Sequence, residues 1–133
     1  MNESNVPGSQ LADTVPAAAQ PQRLALLLDD NLMSTMRVQP QLQRLNYRVE
    51  TSRVVPEATA LNGEVPQVVL INLGSRGLNG VSLIGTCRER FPQARIIGFC
   101  GHLETEIRRA AKQVGIDRIL TNDQALSDLA RAL

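Results

Sequence analysis

Val68-Val69-Leu70-Ile71-Asn72 is the stretch on which the fold turns. Four consecutive apolar residues, three of them β-branched, read as a strand buried on both faces, the pattern of a parallel sheet. The run stops abruptly at a polar amide. Two neighbours repeat the pattern: Arg23-Leu24-Ala25-Leu26-Leu27-Leu28 stops at Asp29-Asp30-Asn31, and Ala94-Arg95-Ile96-Ile97-Gly98-Phe99 stops at Cys100-Gly101-His102. In an open α/β sheet, the crevice at the carboxyl ends of such strands is where chemistry collects. Asp29, Asp30, Asn72 and Cys100 are therefore expected to converge on one site.

Between these runs lie helical stretches. Val38, Leu42 and Leu45 have helical spacing, with Pro40 among them, which is expected to kink that helix at a cost of ~3 kcal/mol unless packing compensates. Tyr47 to Thr51 alternates weakly as a second strand, and Pro56 to Leu61 reads as a short helix ended by Asn62-Gly63. Ile84, Cys87 and Phe91 form the stripe of a third helix closed by Pro92. Leu103, Ile107, Ala110, Ala111 and Val114 are expected on one side of a fourth, with Gly115 ending it. Ile116 to Leu120 reads as the fifth strand, and Leu126, Leu129 and Leu133 mark the last helix. Alternating strands and helices with short turns predict a doubly wound, five-stranded parallel sheet of the flavodoxin-like kind.

Composition bounds the function. At 133 residues and 43% hydrophobic the chain suits one domain with a proper core, and with only 2% aromatic residues that core must be aliphatic. A net charge of +1 leaves no broad footprint for nucleic acid or an anionic membrane. No apolar run approaches the roughly 20 residues of a membrane helix, and the expectation is a soluble, cytoplasmic protein. Cys87 and Cys100 fit neither a disulfide framework nor a zinc site, and His102 is the single histidine. Met1 to Gln22, with Pro7, Gly8, Pro16 and Pro21 and no apolar period, has the composition of a flexible tail; the domain is expected to span residues 23–133.

Leu26-Leu27-Leu28-Asp29-Asp30-Asn31, the third strand followed by Gly77-Leu78-Asn79-Gly80, and Gly115-Ile116-Asp117-Arg118-Ile119-Leu120-Thr121 resemble, in order and in register, the receiver domain of bacterial two-component response regulators. The resemblance covers the chain after the tail. It implies that Asp29 and Asp30 match the acidic pair that helps hold magnesium, and that Asn72 falls on the phosphoacceptor, where the family has aspartate. It places Cys100 on the switch hydroxyl, Asn122 on the lysine that reaches the phosphoryl group, Ile119 on the aromatic that rotates with the switch, and Arg76 on a loop proline.

These departures have chemical consequences. A neutral amide is no nucleophile for phosphoryl transfer. Losing one carboxylate of three weakens a magnesium site, so Asp29 and Asp30 are expected to hold the ion weakly if at all. Asn122 cannot neutralise phosphoryl oxygens as a lysine does, and Lys112, the only lysine, falls on the fourth helix. The expectation is a degenerate, non-enzymatic receiver that acts as a phosphorylation-independent interaction or dimerisation module. The resemblance implies protein partners: a histidine kinase, another regulator or an output protein, or a second copy. The expected surface is the fourth helix, fifth strand and fifth helix, with Glu106, Arg108, Arg109, Lys112, Arg118 and Asp128 as exposed candidates. Rival readings are phosphorylation on Asp30, a thiol sensor at Cys100 with His102 nearby, and a small-ligand pocket in the same crevice.

Overall fold

The computed structural model describes residues 22–133; apart from Gln22, the expected tail lies outside them. Five strands form one parallel sheet in the order β2-β1-β3-β4-β5. They are β1 (Arg23–Leu28), β2 (Tyr47–Ser52), β3 (Val68–Asn72), β4 (Arg95–Cys100) and β5 (Arg118–Thr121). The intervening elements are helix α1 (Leu32–Arg44), a single 3-10 turn labelled α2 (Ala58–Leu61), and helices α3 (Gly80–Arg90), α4 (Thr105–Gln113) and α5 (Asn122–Ser127). The doubly wound flavodoxin-like architecture read from the sequence is the one observed.

The continuous apolar runs exist because both faces of the sheet are covered. Leu26, Leu28, Val69, Ile71 and Ile96 pack with Ile84, Cys87 and Phe91 of the α3 region and Ala111 of α4. On the opposite face Ala25, Leu27, Leu70, Ile97, Phe99 and Leu120 pack with Val38 and Leu42 of α1 and with Ala125 and Leu129. Burying a side chain of the Leu or Ile class contributes ~1.5–3 kcal/mol. Two aliphatic layers therefore serve where aromatic residues are scarce.

Strand order reverses between β1 and β3, and this is the topological switch point of the sheet. Leu28 pairs with Ile71 in register, so the next residues, Asp29 and Asn72, emerge side by side at the carboxyl edge.

Pro40 lies inside α1, which is continuous from Leu32 to Arg44. The neighbouring Gln41 is buried; its Nε2 donates to Arg37 O at 3.0 Å and Ala125 O at 2.9 Å while its Oε1 accepts from Leu129 N at 2.8 Å. Three expectations need correction. Leu103 and Val114 are not core residues: α4 starts only at Thr105, which leaves Leu103 in the preceding turn and 78% exposed, and Val114 caps the helix half-exposed. Ile116 precedes β5, where its backbone N–H donates to Ala111 O, and the strand itself runs on to Thr121. The last helix is split. α5 ends at Ser127, Asp128 departs from helical geometry at φ −148°, and a 3-10 turn over Leu129–Ala132 completes the packing.

Candidate functional site

The carboxyl edge of the sheet holds an open crevice of about 900 Å³. Asp30 and Asn31 from the end of β1, Ser34 and Arg37 from α1, Asn72, Gly74, Ser75 and Arg76 from the end of β3, Glu104, and Asn122 are among its walls.

At its floor Asp29 is 3% exposed, and each of its carboxylate oxygens already accepts hydrogen bonds. Oδ1 accepts from Asn72 Nδ2 at 2.9 Å and from the Asn31 backbone N–H at 3.0 Å; Oδ2 accepts from the Ser34 hydroxyl. Asn72 is fixed at its other end as well, because its Oδ1 accepts from Gly74 N at 3.2 Å. The two ends of the amide thus face a carboxylate and an N–H, which sets its orientation unambiguously. Asn31 caps α1, its Oδ1 accepting from Met33 N at 2.8 Å and Ser34 N at 3.3 Å, and this turns Ser34 inward toward Asp29. Helix capping therefore falls to Asn31, with Asp29 buttressing it.

Asp30 behaves differently. It is exposed on the rim, accepts from the Ser75 hydroxyl, and lies so close to Gly77 that a side chain there would collide with it. Asp29 and Asp30 are thus separated by role: one closes a buried network, the other faces solvent.

This arrangement decides what a cation would meet. In a receiver, carboxylates repel one another across such a floor and a divalent ion holds them together. Here the Asn72 amide presents N–H to Asp29 rather than a lone pair. No group of three His, Cys, Asp or Glu side chains able to hold a metal occurs among the described residues. Two carboxylates, Asp29 and Asp30, stand at this end of the sheet, and both oxygens of Asp29 already accept hydrogen bonds.

Cys100 does not join the crevice. It is fully buried in the cluster of Val69, Ile71, Ile96 and Ala111, so the expected convergence holds for Asp29, Asp30 and Asn72 but not for this thiol. Burial pushes its pKa up; the Arg108 cation opposes that rise and the Glu104 carboxylate adds to it. Cys87 is pushed up to about 11, chiefly by burial, with Arg90 and Arg88 opposing. The thiolate that a sensor needs is disfavoured at both positions. His102 is exposed in the β4–α4 turn.

Sequence reasoning did not anticipate Ser34, Ser75, Arg37 or Glu104. Glu104 Oε2 accepts from Gly101 N at 2.8 Å and stands 2.9 Å from where a Cβ on Gly74 would lie, so it fills the gap between two glycines. A signal for Glu104 existed in the turn Gly101-His102-Leu103-Glu104, where an acidic residue precedes a helix; none existed for Ser34 or Ser75. Asn122 opens α5 on the crevice wall, exposed, behind a capping box in which Thr121 and Gln124 bond reciprocally. Ile119 is half-buried against the α3 and α4 layer. On the expected interaction surface Glu106, Arg109, Lys112, Arg118 and Asp128 are exposed, and Asp128 pairs with Arg131 at 3.2 Å. Arg108 is the exception, being half-buried.

No family profile matches the chain. It is 26% identical over 112 residues to the photosynthetic apparatus regulatory protein RegA of Rhodobacter capsulatus, covering 84% of this chain and 61% of that protein. The chain thus spans about three fifths of the length of that relative. Among solved structures it is similar to a response regulator of Burkholderia pseudomallei with a phosphorylated aspartic acid and a calcium ion, at 25% identity and a TM-score of 0.65, covering 84% of this chain and 70% of that one. It also shares its fold with a CheY-like receiver domain protein of Methanospirillum hungatei (18% identity, TM-score 0.69, 84% and 90% covered) and the chemotaxis response regulator CheY4 of Vibrio cholerae (21%, 0.64, 85% and 100%). The chain thus shares the fold of these receiver proteins and is similar to response regulators. No helix among the described residues is long and apolar enough to cross a membrane.

Proposed function

We propose that this chain is a receiver-type signalling module that works without phosphorylation, through protein–protein contact or dimerisation. The observation that carries the reading is the hydrogen bond from Asn72 Nδ2 to Asp29 Oδ1 at 2.9 Å. It gives the buried Asp29 carboxylate a hydrogen-bond donor from within the fold, and it puts an amide where the acceptor carboxylate would be. With an amide at Asn72 and no lysine at Asn122, phosphoryl transfer to the usual position has neither its nucleophile nor its cation. What remains is a rigid sheet presenting surfaces, with a histidine kinase, another regulator or an output protein as the class of partner.

Beryllofluoride with magnesium, which forms a phosphoryl-like adduct on an acceptor carboxylate, tests this by NMR. Backbone amide resonances of α4, β5 and α5 are expected to stay in place in the wild-type chain. Movement there on addition of the reagent would refute the reading.

One observation favours a second reading. Asp30 is solvent-facing and shares the crevice with Arg37 and Arg76, so a carboxylate and two cations line one open space. Phosphorylation on Asp30 predicts an acid-labile modification that disappears in Asp30→Asn.

A further inference from the structure

α4 carries Arg108, Arg109 and Lys112 within two turns, and with Thr105 and Gln113 they line a shallow trough of about 490 Å³. The exposed wall of this trough is mostly carbon. That is the expected result when long cationic side chains lay their aliphatic stems along a surface.

Arg108 differs from its neighbours in the trough. Its Nε and Nη2 are shut off from solvent and have no hydrogen-bond partner among the described residues. Those two nitrogens form one edge of the guanidinium, the fork that receives a carboxylate in bidentate fashion. Burying charged donors without an acceptor is costly, so such groups are ordinarily paired. Arg48 pairs with Glu50 and Glu64, Arg88 with Asp117, and Arg90 with Glu57. Glu104, one helical turn before Arg108, is turned away to the Gly101 N–H. The chain thus carries a guanidinium edge without an acceptor among the described residues, on a helix whose exposed face is a basic trough with carbon walls.

We propose that this trough docks an acidic amphipathic segment of a partner protein. A carboxylate of that segment takes the Nε and Nη2 edge of Arg108, which swings outward to meet it, and an apolar side chain lies on the stems of Arg109 and Lys112. The inference rests on the interaction-module reading and gives the partner its chemistry. Charge complementarity selects the occupant: Arg109 and Lys112 are exposed beside the unpaired edge of Arg108, so the trough favours an acidic partner.

The test uses the full, isotopically labelled chain and a short synthetic peptide of Glu and Leu at helical spacing, with the same peptide carrying Lys for Glu as control. The Arg108 Nε–H resonance and the α4 amides are expected to shift and saturate with the acidic peptide alone. Affinity should fall about tenfold in Arg108→Ala, recover only partly in Arg108→Lys, which keeps charge but loses the fork, and stay unchanged in Arg44→Ala. No shift with the acidic peptide, or an equal response to the basic one, would overturn the inference. So would tighter binding to phosphatidylglycerol vesicles than to the peptide, or a dimer that dissociates in Arg108→Glu, since each assigns the trough another occupant. A chain that takes no phosphoryl group yet ignores the peptide refutes this docking alone. One that takes the group, whatever the peptide does, refutes the interaction-only reading instead.

Discussion

Asn72 on β3 and Asp29 after β1 are bonded side chain to side chain, Nδ2 to Oδ1 at 2.9 Å, across the switch point of the sheet. This contact joins a buried carboxylate to an uncharged amide donor. Asn72→Asp should therefore destabilise the fold by ~1–3 kcal/mol in the presence of a chelator, because a second carboxylate is forced against a buried one. Millimolar magnesium should restore the variant and leave the wild type unmoved. Urea denaturation with and without magnesium measures both effects; a wild type stabilised as much as the variant would contradict the assignment.

Gln41, at a buried position, ties α1 to the C-terminal helical segments through two hydrogen bonds, with Ala125 O and Leu129 N. Gln41→Leu keeps the approximate volume but strands the Leu129 N–H and the Ala125 carbonyl. A loss of ~1–3 kcal/mol is expected from the denaturation midpoint, together with faster amide exchange at Leu129.

Both thiols should be inert in the native chain. Burial raises the pKa of Cys100 and takes Cys87 to about 11, so neither is ionised near neutrality. Alkylation by iodoacetamide at pH 7 should proceed only as fast as the protein opens, with both cysteines labelled together on adding denaturant. Rapid labelling of Cys100 in the folded chain would revive the sensor reading.

Asp117 gives the fold an acid-sensitive joint. Burial alone would raise its pKa, but the Ile96 N–H at 2.7 Å and the Arg88 guanidinium at 3.1 Å outweigh that and hold it below the ordinary carboxylate value. A depressed folded-state pKa means that the stabilisation is present above the unfolded value, ~3.9, and lost as pH falls through the folded one. Thermal stability measured between pH 6 and pH 2 should fall less steeply in Asp117→Asn than in the wild type.

The central strands were legible in the sequence because β1, β3 and β4 are short apolar runs stopped by polar residues, whereas β2 showed only a weak alternation. Asn72 was legible for the same reason, standing at the end of such a run. The contacts that give Asn72 its meaning were not. Ser34 lies on the next helix, and only the asparagine cap at Asn31 turns it inward; Glu104 reaches a backbone N–H created by a turn. Periodicity also misplaced Leu103, since an apolar residue one position before a helix fits the stripe without belonging to it. The break at Asp128 has no glycine or proline to announce it. The partial burial of Arg108 is a tertiary fact with no local signature.

Intact mass after incubation with acetyl phosphate and magnesium, quenched rapidly, with Asn72→Asp measured in parallel, tests the central claim most directly. The wild-type mass should be unchanged. A gain of one phosphoryl group by the wild type would contradict the account, and mapping it would show whether Asp30 receives what Asn72 cannot.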